Sequence, residues 1–435
     1  MPNLAVARVP GHVDTQPLDV LERNVVEVTL PAVIDNLLRA SDATTEVIEP
    51  GATDIVFRGT FEEVNRLYLE NQWSDGLPIV PPTAEAVERF LAFTDLDPQH
   101  SFGSLLPDRR AATVWSAAVN GVMAGCRPEY FPVLLAIVEA LADERYGVEH
   151  SGNTPGAETL ITVNGPIARQ LDFNCEQGVL RDGIQANTSV GRFLRLYLRN
   201  VAGFLPWQTD KGTFGGTWRV VLAENEVALA EMGWEPQSVD FGFAPGENVV
   251  TISRYTGGGV LTSVFGHTPD LMVDYLADGL AKIGGWEYGF SVGFANTATY
   301  RPLLLLTPIL AQTIAAAGWS RADLKRALWE RARIPARRFE QYLGEWTNAM
   351  PGRRTLEDLV NLRRADPVFN QSSDPERLVP IVAVPEHISI AVAGDPLRTN
   401  AYVFAHNGLL GFPTAKAVRL PFDWEAKLRA AQRDG

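Results

Sequence analysis

The sequence predicts an α/β protein built on a mixed sheet flanked by helices. Short runs of β-branched and apolar residues alternate along the chain with helical patterns, in which apolar residues recur at three and four positions. The last strand-like runs, IVAVP, ISIAVAGD and NAYVFAHNG, have no helix between them, which favours some antiparallel pairing. Because 435 residues exceed the usual size of one hydrophobic core, we also expect two lobes.

The first 60 residues predict a separable, strand-rich arm. Within residues 1–60, the runs NVVEVTL, TTEVIEP and TDIVFRG alternate β-branched and polar residues around Pro and Gly. Residues 61–235 form the first predicted α/β lobe. This lobe contains the helical patterns FEEVNRLYLENQW, AATVWSAAVNGVMAG, PEYFPVLLAIVEALADE and GRFLRLYLRNVAG and the strand patterns TLITVNG and TWRVVLAEN.

Residues 236–435 form the second predicted lobe, which repeats the alternation. NVVTISRY, GGVLTSVFG and RPLLLLTP are strand patterns, whereas TPDLMVDYLADGLAKI and SRADLKRALWERAR are helical. TLITVNGPIARQL in the first lobe and LLLLTPILAQTI in the second both run from a strand through Pro-Ile into a helix start. This echo predicts an internal duplication.

Composition and charge exclude several classes of partner. A formal net charge of −14 and a pI near 5.0 oppose binding to the phosphate backbone of a nucleic acid. The apolar runs are too short, or too interrupted by Pro, to predict a membrane span. Two cysteines predict no disulfide framework, and the scattered histidines predict no metal site. We therefore expect a cytoplasmic protein, with a homodimer as the default assembly.

Cys126 is the first candidate catalytic residue. Gly125 is suited to ending one helix, while Pro128 and Glu129 are suited to the first turn of the next. The thiol would then lie beside free backbone N–H groups and the Arg127 guanidinium, which lower a cysteine pKa and favour a nucleophile or redox centre. Arg127 would also be placed to bind substrate. A buried Cys that packs as a small apolar residue explains the same spacing equally well.

The run GIQANTSVGR, residues 183–192, is the best candidate for an anion site. Asn187 or Thr188 can cap the helix that follows, and Arg192 enters its first turn, so N–H donors and a guanidinium can converge on a carboxylate or phosphate. A plain capped helix is the alternative. Asp75, in the rigid turn SDGLPIVPPT, is a candidate for the rim of a substrate pocket, although a domain connector fits as well.

Four further candidates lie near predicted strand ends or helix caps. Asn164 follows a strand, and α/β sheets bind ligands at the carboxyl ends of their strands. Glu224 and Glu226 follow another strand, where two carboxylates at this spacing point the same way and can transfer protons. His267 in VFGHTPD is a candidate base. Solvated residues at a sheet edge are the more common explanation for such carboxylates.

Four motifs together resemble the UGSC-type (seleno)protein-associated group of large bacterial proteins: WSDGLPIVPPT, VNGVMAGCRPEYFPV, VNGPI and ANTSVGR. The resemblance implies thiol or selenol chemistry, with Cys126, Asn164, Asn187 and Arg192 in its conspicuous motifs. It also implies a small partner subunit that bears a redox-active Cys or selenocysteine. The chain departs from the group at TPILA, 307–311, where relatives carry Gly-Pro-Glu-His-Ala, and at AVAGDPLR, so a candidate base is missing.

The leading functional expectation is a cysteine-dependent enzyme that acts on a small anionic metabolite by covalent or redox chemistry, with carbon–heteroatom bond cleavage as one form. Two alternatives stay open. One is a non-catalytic binding or scaffold subunit of a multi-component complex. The other is an acid/base lyase or hydrolase that uses Glu224, Glu226 or His267 and not the thiol. The sequence points to no cofactor.

Overall fold

A computed structural model describes residues 5–39, 50–51, 53–216, 220–292, 298–347, 354–409 and 411–434. The chain divides into two compact units, Met1–Val56 and Phe57–Gly435. The fold is mixed α/β, as the sequence predicts. The predicted end of the N-terminal arm at residue 60 lies four residues from the observed boundary.

The first unit is helical, so the predicted strand content is wrong. Helix α1 spans Leu18–Asn24, a π-helical turn spans Val25–Thr29, and α2 spans Leu30–Leu38. NVVEVTL continues the helix because no turn residue separates it from the helix-forming segments on either side, and a short apolar run does not distinguish strand from helix. TDIVFRG forms no strand, and TTEVIEP lies outside the described residues except for Pro50.

The second unit contains the remaining helices and all of the strands in the described ranges. The helices are α3 Phe61–Glu70, α4 Ala84–Leu91, α5 Val114–Ala124, α6 Phe131–Ala142, α7 Pro166–Gln170, α8 Gln185–Tyr197, α9 Glu226–Met232, α10 Pro269–Ile283, α11 Pro308–Ala316, α12 Arg321–Arg331, α13 Ala336–Glu340, α14 Leu356–Asn361 and α15 Trp424–Asp434. The strands are β1 Ser101–Leu105, β2 Arg110–Thr113, β3 Glu158–Asn164, β4 Val221–Ala223, β5 Val249–Leu261, β6 Leu303–Leu306, β7 Arg333–Pro335, β8 Leu378–Pro380, β9 Ser389–Val392, β10 Ala401–His406 and β11 Thr414–Ala417. None of the helices in these ranges is long and apolar enough to cross a membrane.

The central sheet has the order β4-β3-β5-β10-β6-β9, and β11 pairs with β5. β3 runs parallel to β4, β6 runs parallel to β9, and the other neighbours are antiparallel. Strands from both sides of residue 235 belong to this one sheet. The lobes predicted at 61–235 and 236–435 are therefore parts of a single compact unit, because backbone hydrogen bonds between β3 and β5 join them.

The two halves of the sheet repeat one arrangement. In each half, the first strand in the chain, β3 or β6, lies in the middle. The second strand, β4 or β9, lies at the edge of the sheet, and the third strand, β5 or β10, lies next to the other half. β3 and β6 each lead into a helix with Pro in its first turn, α7 and α11. An equivalent backbone bond follows the second strand of each set: Glu224 N–H donates to Val163 C=O (3.1 Å), and Ala393 N–H donates to Leu306 C=O (3.0 Å). The predicted duplication is present in the strand order.

The sheet curls so that its two edge strands meet. Asn225, just after β4, donates its backbone N–H to Val392 C=O on β9 (2.8 Å). Leucines from both halves pack inside the curl, including Leu160, Leu222 and Leu303. The outer faces are covered by separate helical layers, α4, α5, α6 and α8 on the first half and α10, α11 and α12 on the second. These two layers explain why the sequence suggests two lobes.

Candidate functional site

Three motifs that are distant in sequence meet around the first half of α8. Arg192 donates from Nε and Nη2 to the two carboxylate oxygens of Asp75, at 3.0 and 2.9 Å. It also donates to Pro78 C=O at 2.8 Å. Gln185, the first residue of α8, donates to Gly125 C=O at 3.4 Å, which brings the junction between α5 and α6 to the same place. Two predicted substrate-binding residues, Asp75 and Arg192, therefore bind each other.

Three arginines lie side by side along α8 and the π-helical turn that follows it, Leu198–Ala202. Arg192, Arg195 and Arg199 are separated by three and four residues, so they share a helix face. They border a small cavity of about 60 Å³ that opens to solvent. The cavity is lined by Asp75, Arg192, Arg195, Leu198, Arg199 and Phe204.

We call this cavity the arginine pocket. Its three guanidinium charges are not neutralised to the same extent. Arg192 pairs with Asp75, and Arg195 pairs with Glu158 at 3.2 Å and Asp210 at 3.7 Å. Although burial raises the pKa of Asp75, the bonds from Arg192 outweigh it and hold that pKa below its usual range.

Arg199 is the exception among these arginines. Its Nη1 donates to Gln72 C=O at 3.2 Å, and no carboxylate in the described part of the chain lies within 4.0 Å of its guanidinium. Burial lowers the pKa of Arg199, and the neighbouring charge of Arg195 lowers it further. The charges of Asp75 and Asp210 oppose this shift, so Arg199 is a half-buried cation with carboxylates in its neighbourhood but, among the described residues, none in direct contact.

Cys126 lies at the predicted helix junction but is not the predicted thiolate. Gly125 ends α5 with φ 76°, as expected, and Cys126 N–H donates back to Gly121 C=O at 3.1 Å. The Cys126 residue is only 8% exposed. Burial raises its pKa to about 12, and this outweighs the opposing effects of the Ser189 hydroxyl and the Arg192 charge. The thiol is therefore protonated near neutral pH.

Arg127 does not assist the thiol as the sequence suggests. Its guanidinium forms an ion pair with the buried Glu129 carboxylate. Both side chains border a different cavity, which residues at the end of α7 and on α15 also line. The predicted substrate-binding role of Arg127 beside Cys126 is thus not supported, because its charge is already paired with Glu129.

We expect Cys126 to resist alkylation in the folded protein, because the thiol is both buried and protonated. Cys175, which is less buried, should react with iodoacetamide first. Mass spectrometry of the labelled peptides, near neutral pH with and without concentrated guanidinium chloride, measures both rates. A Cys175→Ser variant serves as the control with one thiol. Labelling of Cys126 as fast in the folded protein as in the unfolded chain would contradict this description.

Asn187 and Thr188 have structural roles in this arrangement. The Asn187 side chain accepts from Asn174 N–H (2.8 Å) and donates to the carbonyls of Asn174 (3.0 Å) and Val221 (2.7 Å). The Thr188 hydroxyl accepts from Gly183 N–H at 3.1 Å. Neither residue lines the arginine pocket, because both side chains are directed to backbone groups of neighbouring segments. Their predicted role as direct substrate ligands is not supported.

Asn164 and the two carboxylates do come together, where the sheet edges meet. Asn164 Nδ2 donates to Glu224 at 2.6 Å and to Glu226 at 3.1 Å. The Glu224 carboxylate also accepts from the backbone N–H groups of Gln237 (2.7 Å) and Val392 (3.1 Å). Burial raises the pKa of Glu224 to about 7, against the Arg321 charge and the three donors. Glu224 thus links β4 and β9 across the closure of the sheet, and its oxygens are already engaged.

His267 is not brought to any other candidate catalytic residue. It lies exposed in the turn that precedes α10, whereas Cys126 and Glu224 are buried in other parts of the second unit. The structure therefore brings neither Cys126 nor Glu224 to His267.

The sequence gives no signal for one buried carboxyl group, that of Glu287. Glu287 is 5% exposed and accepts from Asn407 Nδ2 at 3.3 Å, and burial raises its pKa to about 8. Nearby, His406 accepts from Arg301 N–H at 3.1 Å through Nδ1, and burial holds its pKa well below the usual range. These residues come from separate segments, so no local spacing signals them.

Within the described ranges, no group of three or more His, Cys, Asp or Glu side chains is arranged to hold a metal ion. The arginine pocket is the best candidate for a ligand site, because no carboxylate of the described residues is in contact with the Arg199 guanidinium. The likeness to the UGSC-type group stays a prediction. No protein-family model, curated protein or solved structure matches this chain.

Proposed function

We propose that this protein binds a small organic anion in the arginine pocket, with the Arg199 guanidinium as the main contact. The observation that carries the proposal is the half-buried charge of Arg199, which has a carbonyl partner but no carboxylate within ion-pair distance among the described residues. A carboxylate or phosphate is the natural complement of such a group, because guanidinium donors match their oxygens in pairs.

The energetics favour an anion at this position. Burying a cation is unfavourable, and the lowered pKa of Arg199 reflects that burial together with repulsion from Arg195, which the charges of Asp75 and Asp210 only partly offset. A bound anion would offset both effects. Arg192 and Arg195 are held in place by their own carboxylates, so the pocket is ordered before the ligand arrives.

The proposal assigns no covalent step to Cys126. Nucleophilic attack requires an ionised and accessible sulfur, whereas this thiol is buried with a raised pKa. It also assigns no proton transfer to Glu224, whose carboxylate accepts three hydrogen bonds within the closed sheet. Of the functions expected from the sequence, recognition of a small anionic metabolite therefore has the most support.

Calorimetric titration with inorganic phosphate and with acetate tests the proposal. We expect Arg199→Gln to weaken binding by roughly 10- to 100-fold, since a hydrogen bond to a charged group contributes about 1.5–3 kcal/mol. Arg326→Gln is the matched control: it removes the same charge from an exposed position on α12 and should leave the affinity unchanged. Equal affinities in the parent protein and Arg199→Gln would refute the proposal.

A further inference from the structure

We infer that the ligand of the arginine pocket is an aromatic acid, whose ring lies against Trp207 outside the cavity while its anionic group contacts Arg199. This inference rests on the proposed function, since it names the class of anion that the same pocket takes. It follows from the size of the cavity, the position of the loop that carries Trp207, and the exposure of that side chain.

The cavity is small, about 60 Å³, and open to solvent. An organic acid that places its carboxylate or phosphate against Arg199 must therefore leave the rest of the molecule at the mouth of the pocket. The side chains at the mouth decide which organic group is accepted.

The loop Leu205–Asp210 is fixed beside this mouth. Leu205 C=O accepts from the N–H groups of Gln208, Thr209 and Asp210, so the loop is a compact turn. The preceding residue, Phe204, lines the pocket. At the other end of the loop, Asp210 pairs with Arg195.

Side-chain contacts attach this loop to the opposite rim. Gln208 Nε2 donates to Gln72 Oε1 at 3.4 Å, and the Gln72 carbonyl is the group that Arg199 contacts. The next residue, Trp73, is held by Asn200 through its carbonyl at 3.0 Å. The 72–73 segment and the 205–210 loop therefore flank the same opening.

Trp207 lies at the tip of the loop, and both its backbone conformation and its exposure to water are unfavourable when no ligand is bound. Its φ of 64° is in the left-handed region, which is strained for a bulky side chain. Its indole is also left in water, since the residue is 92% exposed. Trp73, on the opposite rim, is 39% exposed and packs edge-on against Tyr68. Two tryptophans beside a cationic cavity match a ligand that joins a ring to an acid.

Three ligands with the same head group test the inference: inorganic phosphate, methyl phosphate and phenyl phosphate. By calorimetry, we expect the parent protein to bind phenyl phosphate at least roughly 10-fold tighter than methyl phosphate, as aromatic contacts of this kind typically allow. Benzoate and acetate form a second pair, which shows whether the head group is a phosphate or a carboxylate.

Trp207→Ala should abolish most of the preference for the aryl ligand and leave inorganic phosphate binding unchanged. Trp207→Phe should keep most of the preference, because it retains a ring. Phe214→Ala is the matched control: it removes another aromatic side chain, 95% exposed, that does not line the pocket. The melting temperature of each variant shows that it is folded.

The outcomes separate the two proposals. Equal affinity for methyl and phenyl phosphate in the parent protein, or an undiminished preference in Trp207→Ala, would overturn the aromatic acid while anion binding at Arg199 stands. Failure of all five ligands to bind, or binding that Arg199→Gln leaves unchanged, would overturn the proposed function and the inference with it.

Discussion

Replacing Glu224 by alanine is expected to lower the free energy of unfolding by about 3–5 kcal/mol. The carboxylate accepts from Asn164, Gln237 and Val392. Its removal leaves the two backbone N–H groups without this acceptor where the sheet edges meet, while Asn164 keeps its bond to Glu226. The Arg321 guanidinium also loses a nearby opposite charge. Chemical denaturation followed by circular dichroism measures the change.

Glu231→Ala is the matched control, because Glu231 is an exposed glutamate on α9, a few residues away. It should change the free energy of unfolding by no more than about 0.5 kcal/mol. If Glu224→Ala were as stable as this control, the carboxylate would not hold the sheet closed, and its assignment as a structural residue would fail.

A Glu287→Gln variant is expected to be more stable than the parent protein at about pH 8, by roughly 2–4 kcal/mol. Burial raises the pKa of Glu287 from 4.5 to about 8, so the folded state holds its proton more tightly than the unfolded chain. The stabilisation from this proton is fully present below pH 4.5 and is lost as the pH rises through about 8. Glutamine resembles the protonated carboxyl at every pH and can still accept from Asn407.

Unfolding measured from about pH 4 to pH 9 tests this prediction. The advantage of Glu287→Gln should be small at the acid end and grow towards the alkaline end. His406, whose pKa is lowered by burial, destabilises both proteins as the pH falls, so it cancels in the comparison. Glu357→Gln, at an exposed position on α14, is the control. A stability difference that does not change with pH would mean that Glu287 has the same pKa in the folded and unfolded protein, and it would contradict the raised pKa.

Much of the fold follows from local sequence. The alternation of strand and helix patterns predicts the α/β class, and the two Pro-Ile segments predict the repeated strand order. Gly125 predicts the end of α5 because a left-handed residue is needed there. These features depend on neighbours within a few residues, so local sequence patterns predict them.

Features that depend on burial or on distant partners are harder to predict. The thiol pKa of Cys126 is set mainly by burial, which outweighs the helix start that the sequence shows. The sequence predicts a ligand contact for Asp75 and for Arg192, whereas the structure pairs them across 117 residues. Arg199 is distinguished from Arg192 and Arg195 by the carboxylates that pair with those two, and these carboxylates are distant in sequence.

The N-terminal unit shows that β-branched residues alone do not predict a strand. Valines at positions 25, 26 and 28 favour strands in isolation, yet they lie within a continuous helical stretch from α1 to α2. β propensity depends on pairing with a neighbouring strand, and none of the strands in the described ranges lies in this unit. The helix-forming segments on both sides decide the outcome instead.

A crystal structure of the protein soaked in selenate tests the central claim most directly, because selenium gives an anomalous signal that locates the anion. We predict a selenium peak within hydrogen-bonding distance of the Arg199 guanidinium, inside the cavity that Arg192 and Arg195 also border. An empty pocket in a crystal whose other sites are occupied by selenate would contradict the claim that Arg199 is held in place to bind an anion.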